Sequence, residues 1–212
     1  MTVNEHSIRI EKQVRYFTLG NPEKATQLFV VLHGYGQLPN YFIEKFRGLD
    51  ESIFVVALEG LHRFYLLGSS GRVGASWMTK EARQNDIEDN QNYLKQVISE
   101  FSDNKNFQKS TLLGFSQGGA TAARFVFNQL NSIDHLILWA SIFPPDLLME
   151  NEIKSSINQS LKRTFVVGNE DEFFNDTAQR ELIAFYEEKD FEIHSFKGRH
   201  DIDLKTLKTI LA

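Results

Sequence analysis

Short apolar runs alternate along this chain with segments whose apolar residues recur at helical spacing. Residues 28–32, 53–58, 110–115, 135–140 and 164–167 form β-rich runs with few charges. Runs of this length with little polar alternation are expected of strands covered on both faces of a parallel sheet. Between them, a segment starting near 81–85 carries Ile87, Leu94, Val97, Ile98 and Phe101 on one helical face. The run at 110–115 passes directly into a second helical pattern reaching about residue 130, with Ala120, Ala123, Phe125 and Val126 as core positions.

Toward the C-terminus, Asp176-Thr177-Ala178-Gln179 fits a capping box that opens a helix through residue 188. A last strand over 191–196 and a closing helix over 202–211 follow. Near the N-terminus, residues 7–19 alternate loosely around Ile8, Ile10, Val14, Tyr16 and Phe17, which predicts one or two edge strands. A short helix is expected over 41–46. Residues 59–78 are read as a long Gly/Ser-rich loop with aromatic content (Phe64, Tyr65, Trp77), and loops of that length are commonly functional.

Strand and helix patterns alternate from residue 28 onward, which predicts an α/β fold with a mostly parallel sheet and helices on both faces. No repeat or low-complexity linker divides the chain, so residues 1–212 are read as a single domain. About 20 residues separate Pro144-Pro145 from the strand at 164, too few for a separate lid domain.

Composition narrows the functional classes. With 42% hydrophobic and 24% charged residues the chain is an ordinary globular mixture. A net charge of −5 gives no basic footprint for nucleic acid or an anionic membrane. The absence of cysteine removes disulfides, thiolate metal sites and a cysteine nucleophile. Residues 1–13 have no apolar core of a signal peptide, and no run approaches the length of a membrane span. A cytoplasmic location without integral membrane contact is therefore expected. The oligomeric state is left open.

The chemistry collects at strand ends. Gly114-Phe115-Ser116-Gln117-Gly118 follows a strand and opens a helix, the sequence form of a nucleophile elbow. In open α/β sheets, ligands bind outside the carboxyl ends of the strands. His33 follows the strand at 28–32, Asp171 the one at 164–167, and His200 the one at 191–196. A serine needs a base to take its proton, and a carboxylate to orient that base. His200 is the candidate base and Asp171 the candidate orienting acid, with Glu170 and Glu172 as alternatives. Asp176 is assigned to the helix cap instead. A developing oxyanion needs two N–H donors: Gln117, next to the serine, and Tyr35 of His33-Gly34-Tyr35-Gly36. Trp77, Ile142 and Phe143 are candidates to line the acyl side of the pocket. No complete dinucleotide fingerprint, P-loop or metalloprotease motif occurs.

With these residues placed, the chain resembles the α/β-hydrolase superfamily, and more narrowly the phospholipase/carboxylesterase group that includes acyl-protein thioesterases. The resemblance rests on His33-Gly34-Tyr35-Gly36, Gly114-Phe115-Ser116-Gln117-Gly118-Gly119, Gly168-Asn169-Glu170-Asp171 and Gly198-Arg199-His200. It implies Ser116, Asp171 and His200 as a catalytic triad and the Tyr35 and Gln117 N–H groups as the oxyanion hole. It further implies hydrolysis of small or lipid-like esters or thioesters with neither cofactor nor metal. Arg199 stands where family members often carry a second glycine before the histidine. A ligand receptor on the same fold, or acyl transfer to an acceptor other than water, would use the same residues.

Overall fold

The apolar runs become the centre of a sheet in a computed structural model of the protein, described for residues 1–102, 107–128, 133–148 and 160–212. The strands in chain order are β1 Tyr16–Leu19, β2 Gln27–Leu32, β3 Ile53–Leu58, β4 His62–Leu67, β5 Ser70–Ser76, β6 Lys109–Phe115, β7 His135–Trp139, β8 Lys162–Gly168 and β9 Glu192–Phe196. Seven of them form one sheet in the order β1-β3-β2-β6-β7-β8-β9. β1 runs antiparallel to β3 and every other pairing is parallel. The helices are α1 Pro39–Phe42, which continues as a 3₁₀ turn over Ile43–Phe46, α2 Arg83–Ser102, α3 Gln117–Asn128, α4 Asp176–Glu188 and α5 Leu204–Leu211.

Side chains alternate across the pleat, so each strand feeds two cores. Leu28, Val30, Leu32, Leu112, Leu136, Leu138 and Phe165 face Leu94, Val97, Ile98, Ala122, Ala123, Phe125 and Tyr186 of α2, α3 and α4. On the other side, Phe29, Val31, Leu113, Phe115, Ile137 and Trp139 face Phe42, Phe46, Leu207, Ile210 and Leu211. Burial on both faces is why these strands read as unbroken apolar runs. The phenylalanine-rich composition is spent largely here, as where Phe165 stacks on Tyr186 at 4.0 Å.

Three details depart from the sequence reading. Residues 59–78 are not one loop: β4 and β5 form an antiparallel hairpin outside the main sheet. Gly68, at φ 58°, takes the turn position that a type II′ hairpin reserves for glycine. The hairpin is largely exposed, so it carries no apolar period to reveal it. At the N-terminus only Tyr16–Leu19 pairs with the sheet, and Ile8 and Ile10 lie exposed outside any strand. The cap of α4 is Asn175, one residue before the expected Asp176, with its side chain accepting from the Ala178 N–H at 2.9 Å. Residues 129–130 of the expected elbow helix, and 149–159 of the stretch judged too short for a lid, lie outside the described residues.

The sheet register brings the strand ends level: Leu32 pairs with Leu58 and Gly114, and Gly114 with Leu138. At that edge the start of α3 packs against the end of β2 with no room for a side chain. A Cβ on Gly118 would lie 2.6 Å from the carbonyl oxygens of both Leu32 and His33. These are backbone atoms at the end of a central strand and just beyond it, and cannot swing aside. Gly118→Ala should therefore overpack the elbow at a cost of about 1–3 kcal/mol. Thermal unfolding should then occur about 2–12 °C lower. An unchanged midpoint by calorimetry would contradict this account of the glycine.

Candidate active site

Ser116 lies at the junction of β6 and α3 with φ 52°, in the left-handed region that residues other than glycine rarely occupy. The strain is held by the surrounding backbone: Ser116 N–H donates to Trp139 O at 2.8 Å, and Gly119 N–H to Ser116 O at 3.0 Å. Gly114 permits the turn, since a Cβ there would sit 2.4 Å from the Gly119 Cα. The serine side chain is thereby lifted onto the carboxyl edge of the sheet at the positive end of α3.

Asp171 and His200 arrive from the loops after β8 and β9. His200 Nδ1 and Asp171 Oδ2 are 2.7 Å apart. The Asp171 side chain is fully buried, and its Oδ1 accepts the Phe173 N–H at 3.0 Å. An ionised carboxylate only accepts, so the proton of this contact belongs to Nδ1 and Nε2 is left with its lone pair. The imidazole lies between two rings, with centroids 4.8 Å from Phe115 and 4.4 Å from Phe173. Phe115 directly precedes the serine, so the same packing ties the histidine to the elbow. Of the alternative acids, Glu172 turns to the backbone instead, accepting the His200 N–H at 3.3 Å. Backbone N–H donors, with help from the Arg199 guanidinium, hold its carboxyl below the usual range. Arg199 thus clamps the outside of the histidine loop through Glu172, 3.6 Å away.

The loop after β2 is built around His33. Its ring is buried: Gly60 N–H donates to Nε2 at 3.0 Å, so Nδ1 carries the proton shared with Gly34 O at 2.7 Å. Burial pushes this histidine down to about 4, which makes it a neutral strut. The hairpin clamps the same loop, with Gly36 N–H donating to Ala75 O at 2.9 Å and Ala75 N–H to Gln37 O at 3.0 Å. The Tyr35 side chain is exposed and packs beside Phe64 at 5.0 Å, while the neighbouring Gly34 lies against the elbow, where a Cβ would sit 3.3 Å from that of Ser116. Gln117 uses its side chain to bridge the elbow to the end of β5. Its Oε1 accepts the Trp77 N–H at 3.1 Å, and its Nε2 donates to Met78 O at 3.0 Å. Its backbone N–H belongs to the first helical turn, where no intrahelical partner exists.

The pocket candidates separate. Ile142 and Phe143 line a cleft of about 360 Å³ that also touches Gln117 and Ala120. Trp77 lies elsewhere: it is fully buried and its indole N–H donates to His33 O at 2.8 Å, bracing the β2 loop from behind. The rings flanking His200 and the bridging side chain of Gln117 were not foreseen from sequence, because neither role follows from local spacing. Among the described residues no cluster of metal-ligating side chains occurs, and no helix is long and apolar enough to cross a membrane.

A strained serine at a strand-to-helix turn, on a doubly covered parallel sheet, defines the α/β-hydrolase fold. The chain belongs to the serine hydrolase (FSH1) family, whose model matches residues 24–206. Among solved structures it is similar to esterase PE8, at 18% identity and TM-score 0.68, covering 94% of this chain and 98% of that one. It is similar to Zea mays acyl-protein thioesterase 2, at 16% identity and TM-score 0.69, covering 92% and 95%. It also resembles the Bacillus cereus carboxylesterase, at 14% identity and TM-score 0.60, covering 93% and 91%. At these identities the likeness is one of fold. No curated protein is matched by the sequence.

Two buried histidines make acid stability a test of these environments. Burial lowers His33 to about 4 and His135, which contacts Thr164 Oγ1 at 2.8 Å, to about 3. In the unfolded chain both take a proton near pH 6.5. The folded state binds fewer protons between those values, so stability is full above about pH 6.5 and is lost as pH falls toward 4. Each histidine adds a slope approaching about 1.4 kcal/mol per pH unit in that window. Denaturant melts between pH 7 and 4.5 should show the decline, and His135→Leu, at the far end of β7, should roughly halve the slope. A flat profile would contradict the buried, neutral assignment.

Proposed function

We propose that the protein is a single-domain serine esterase or thioesterase that works through an acyl-enzyme. The observation that carries this reading is the Asp171–His200 contact at 2.7 Å, set at the same sheet edge as a serine held at φ 52°. In the reaction, His200 Nε2 takes the Ser116 hydroxyl proton as Oγ attacks the acyl carbonyl. Asp171 fixes the ring's tautomer and stabilises the imidazolium. The negative oxygen of the tetrahedral intermediate is received by the N–H groups of Tyr35 and Gln117. Collapse expels the alcohol or thiol, which leaves with the proton from His200. Water then attacks the acyl-enzyme by the same path, releasing the carboxylic acid and restoring the serine.

Apart from the attacking water, each step is assigned to protein groups, so the proposed reaction calls on neither metal nor cofactor. Ile142 and Phe143 provide an apolar wall for a small or lipid-like ester. The family assignment, with esterases and an acyl-protein thioesterase sharing the fold, supports the same reading.

A fluorophosphonate probe should label Ser116 alone, and Ser116→Ala should abolish both labelling and turnover of a short p-nitrophenyl ester. Asp171→Asn should keep the fold but lower kcat by about 10⁴-fold, since the histidine would settle in the wrong tautomer. Folded protein that resists the probe, or an Asp171→Asn enzyme of normal kcat, would overturn the proposal. Adding alcohols or amines and analysing products separates hydrolysis from acyl transfer.

A further inference from the structure

The cleft beside Gln117 has the opposite charge from the molecule around it. Acids outnumber bases 28 to 23 over the whole chain, yet the charged residues lining this cleft are Lys80, Arg83 and Arg124. Arg124 is built into the wall. Its side chain is only 4% exposed, and its Nε and Nη2 donate to the two oxygens of Asp146 at 2.7 and 2.6 Å. That fork holds the Asp146 carboxyl below the usual range, and Arg83 lowers it further. Asp86, on the first turn of α2, is not among the lining residues and is occupied by the Thr79 N–H at 3.1 Å and by His62 at 3.0 Å. Lys80 and Arg83 stand exposed at the rim and form no ion pair with a carboxylate among the described residues. The residues lining the cleft thus include three cations and no carboxylate, and the nearby Asp146 is engaged by Arg124.

The same cleft is lined by Gln117, by Ile142, which is 65% exposed, and by the buried ring of Phe143. A ligand filling the cleft meets Gln117 next to the elbow serine, an apolar wall, and cations that form no ion pair among the described residues. A cleft of one sign with low-dielectric walls concentrates ligands of the opposite sign. We infer that the protein selects anionic substrates, esters or thioesters that carry a carboxylate or other anionic group a few bonds from the scissile carbonyl, received by Lys80 and Arg83. The inference rests on the hydrolase reading, with Ser116 as nucleophile. The anionic group takes no part in bond making: water still cleaves the acyl bond, and the charge leaves unaltered on one product.

The test compares matched esters. Mono-p-nitrophenyl adipate and p-nitrophenyl hexanoate differ by a carboxylate in place of a methyl group on the acyl side. The 4-carboxyphenyl and 4-methylphenyl hexanoates make the same exchange on the leaving side. In at least one pair the wild-type enzyme should favour the charged member by about tenfold or more in kcat/KM, and the pair that responds tells which portion carries the charge. The double variant Lys80→Glu, Arg83→Glu, at two exposed positions, should lower that charged-to-neutral ratio by about tenfold or more. Equal rates within both pairs, or a ratio indifferent to the double variant, would overturn the inference. If fluorophosphonate labelling also fails, the hydrolase reading has failed separately. Binding then decides the anion site: monomethyl adipate should bind the Ser116→Ala protein more tightly than methyl hexanoate does, and lose that advantage in the charge-reversed background. No such advantage would overturn it as well.

Discussion

The close approach of the first turn of α3 to the end of β2 is the constraint on which the rest of the site depends. Gly118 lies against the carbonyls of Leu32 and His33, with no space for a methyl group. This contact fixes the distance between the loop bearing Tyr35 and the helix start bearing Gln117. In the proposed reaction these two N–H groups receive the oxyanion, and such donors work only when already aimed at the developing charge, so their spacing must be set by backbone rather than by adjustable side chains. The surrounding parts serve the same spacing. Trp77 holds the His33 carbonyl, the His33 ring holds Gly60, and the Gln117 side chain holds the end of β5.

The hairpin gains a role from this arrangement. A pair of strands outside the main sheet buries little and would be marginal by itself. Here its inner end is fastened through Ala75 to Gly36 and Gln37, and through Trp77 to β2. It acts as a brace for a loop that has no regular structure. Its outer end, with Gly68 and Gly71 at positive φ, carries no such ties.

Much of this was legible in the sequence, and the limits have physical causes. Doubly buried strands announce themselves as apolar runs, and β2, β3, β6, β7 and β8 all appear at or within two residues of where those runs lie. Ser116, Asp171 and His200 could be proposed because strand ends in such a sheet share one edge. The hairpin escaped because its side chains are mostly solvated, leaving only Gly68-Ser69 as a turn signal. Trp77 looked like pocket lining because a large aromatic in a loop near an active site has two possible homes. Its indole N–H found a carbonyl behind the loop, which only the tertiary structure reveals. The cationic cleft escaped for a related reason. Lys80 precedes α2, Arg83 begins it and Arg124 comes from the middle of α3, so no local stretch is basic.

Two histidines at the same sheet edge show how environment, rather than residue type, assigns roles. His33 and His200 both follow strands and both lie near the elbow. His33 is enclosed, its Nε2 occupied by a backbone donor, and burial depresses its proton affinity until protonation requires about pH 4. It has no lone pair to offer a substrate. His200 meets a buried carboxylate at Nδ1, is gripped by two phenyl rings, and keeps Nε2 unengaged by that contact. In the proposed reaction its carboxylate partner stabilises the charged ring that proton transfer creates, which a backbone carbonyl such as that of Gly34 would do far less well. The proposed reaction therefore assigns the base to the histidine partnered by a carboxylate. The other stays neutral down to about pH 4 and serves as a strut.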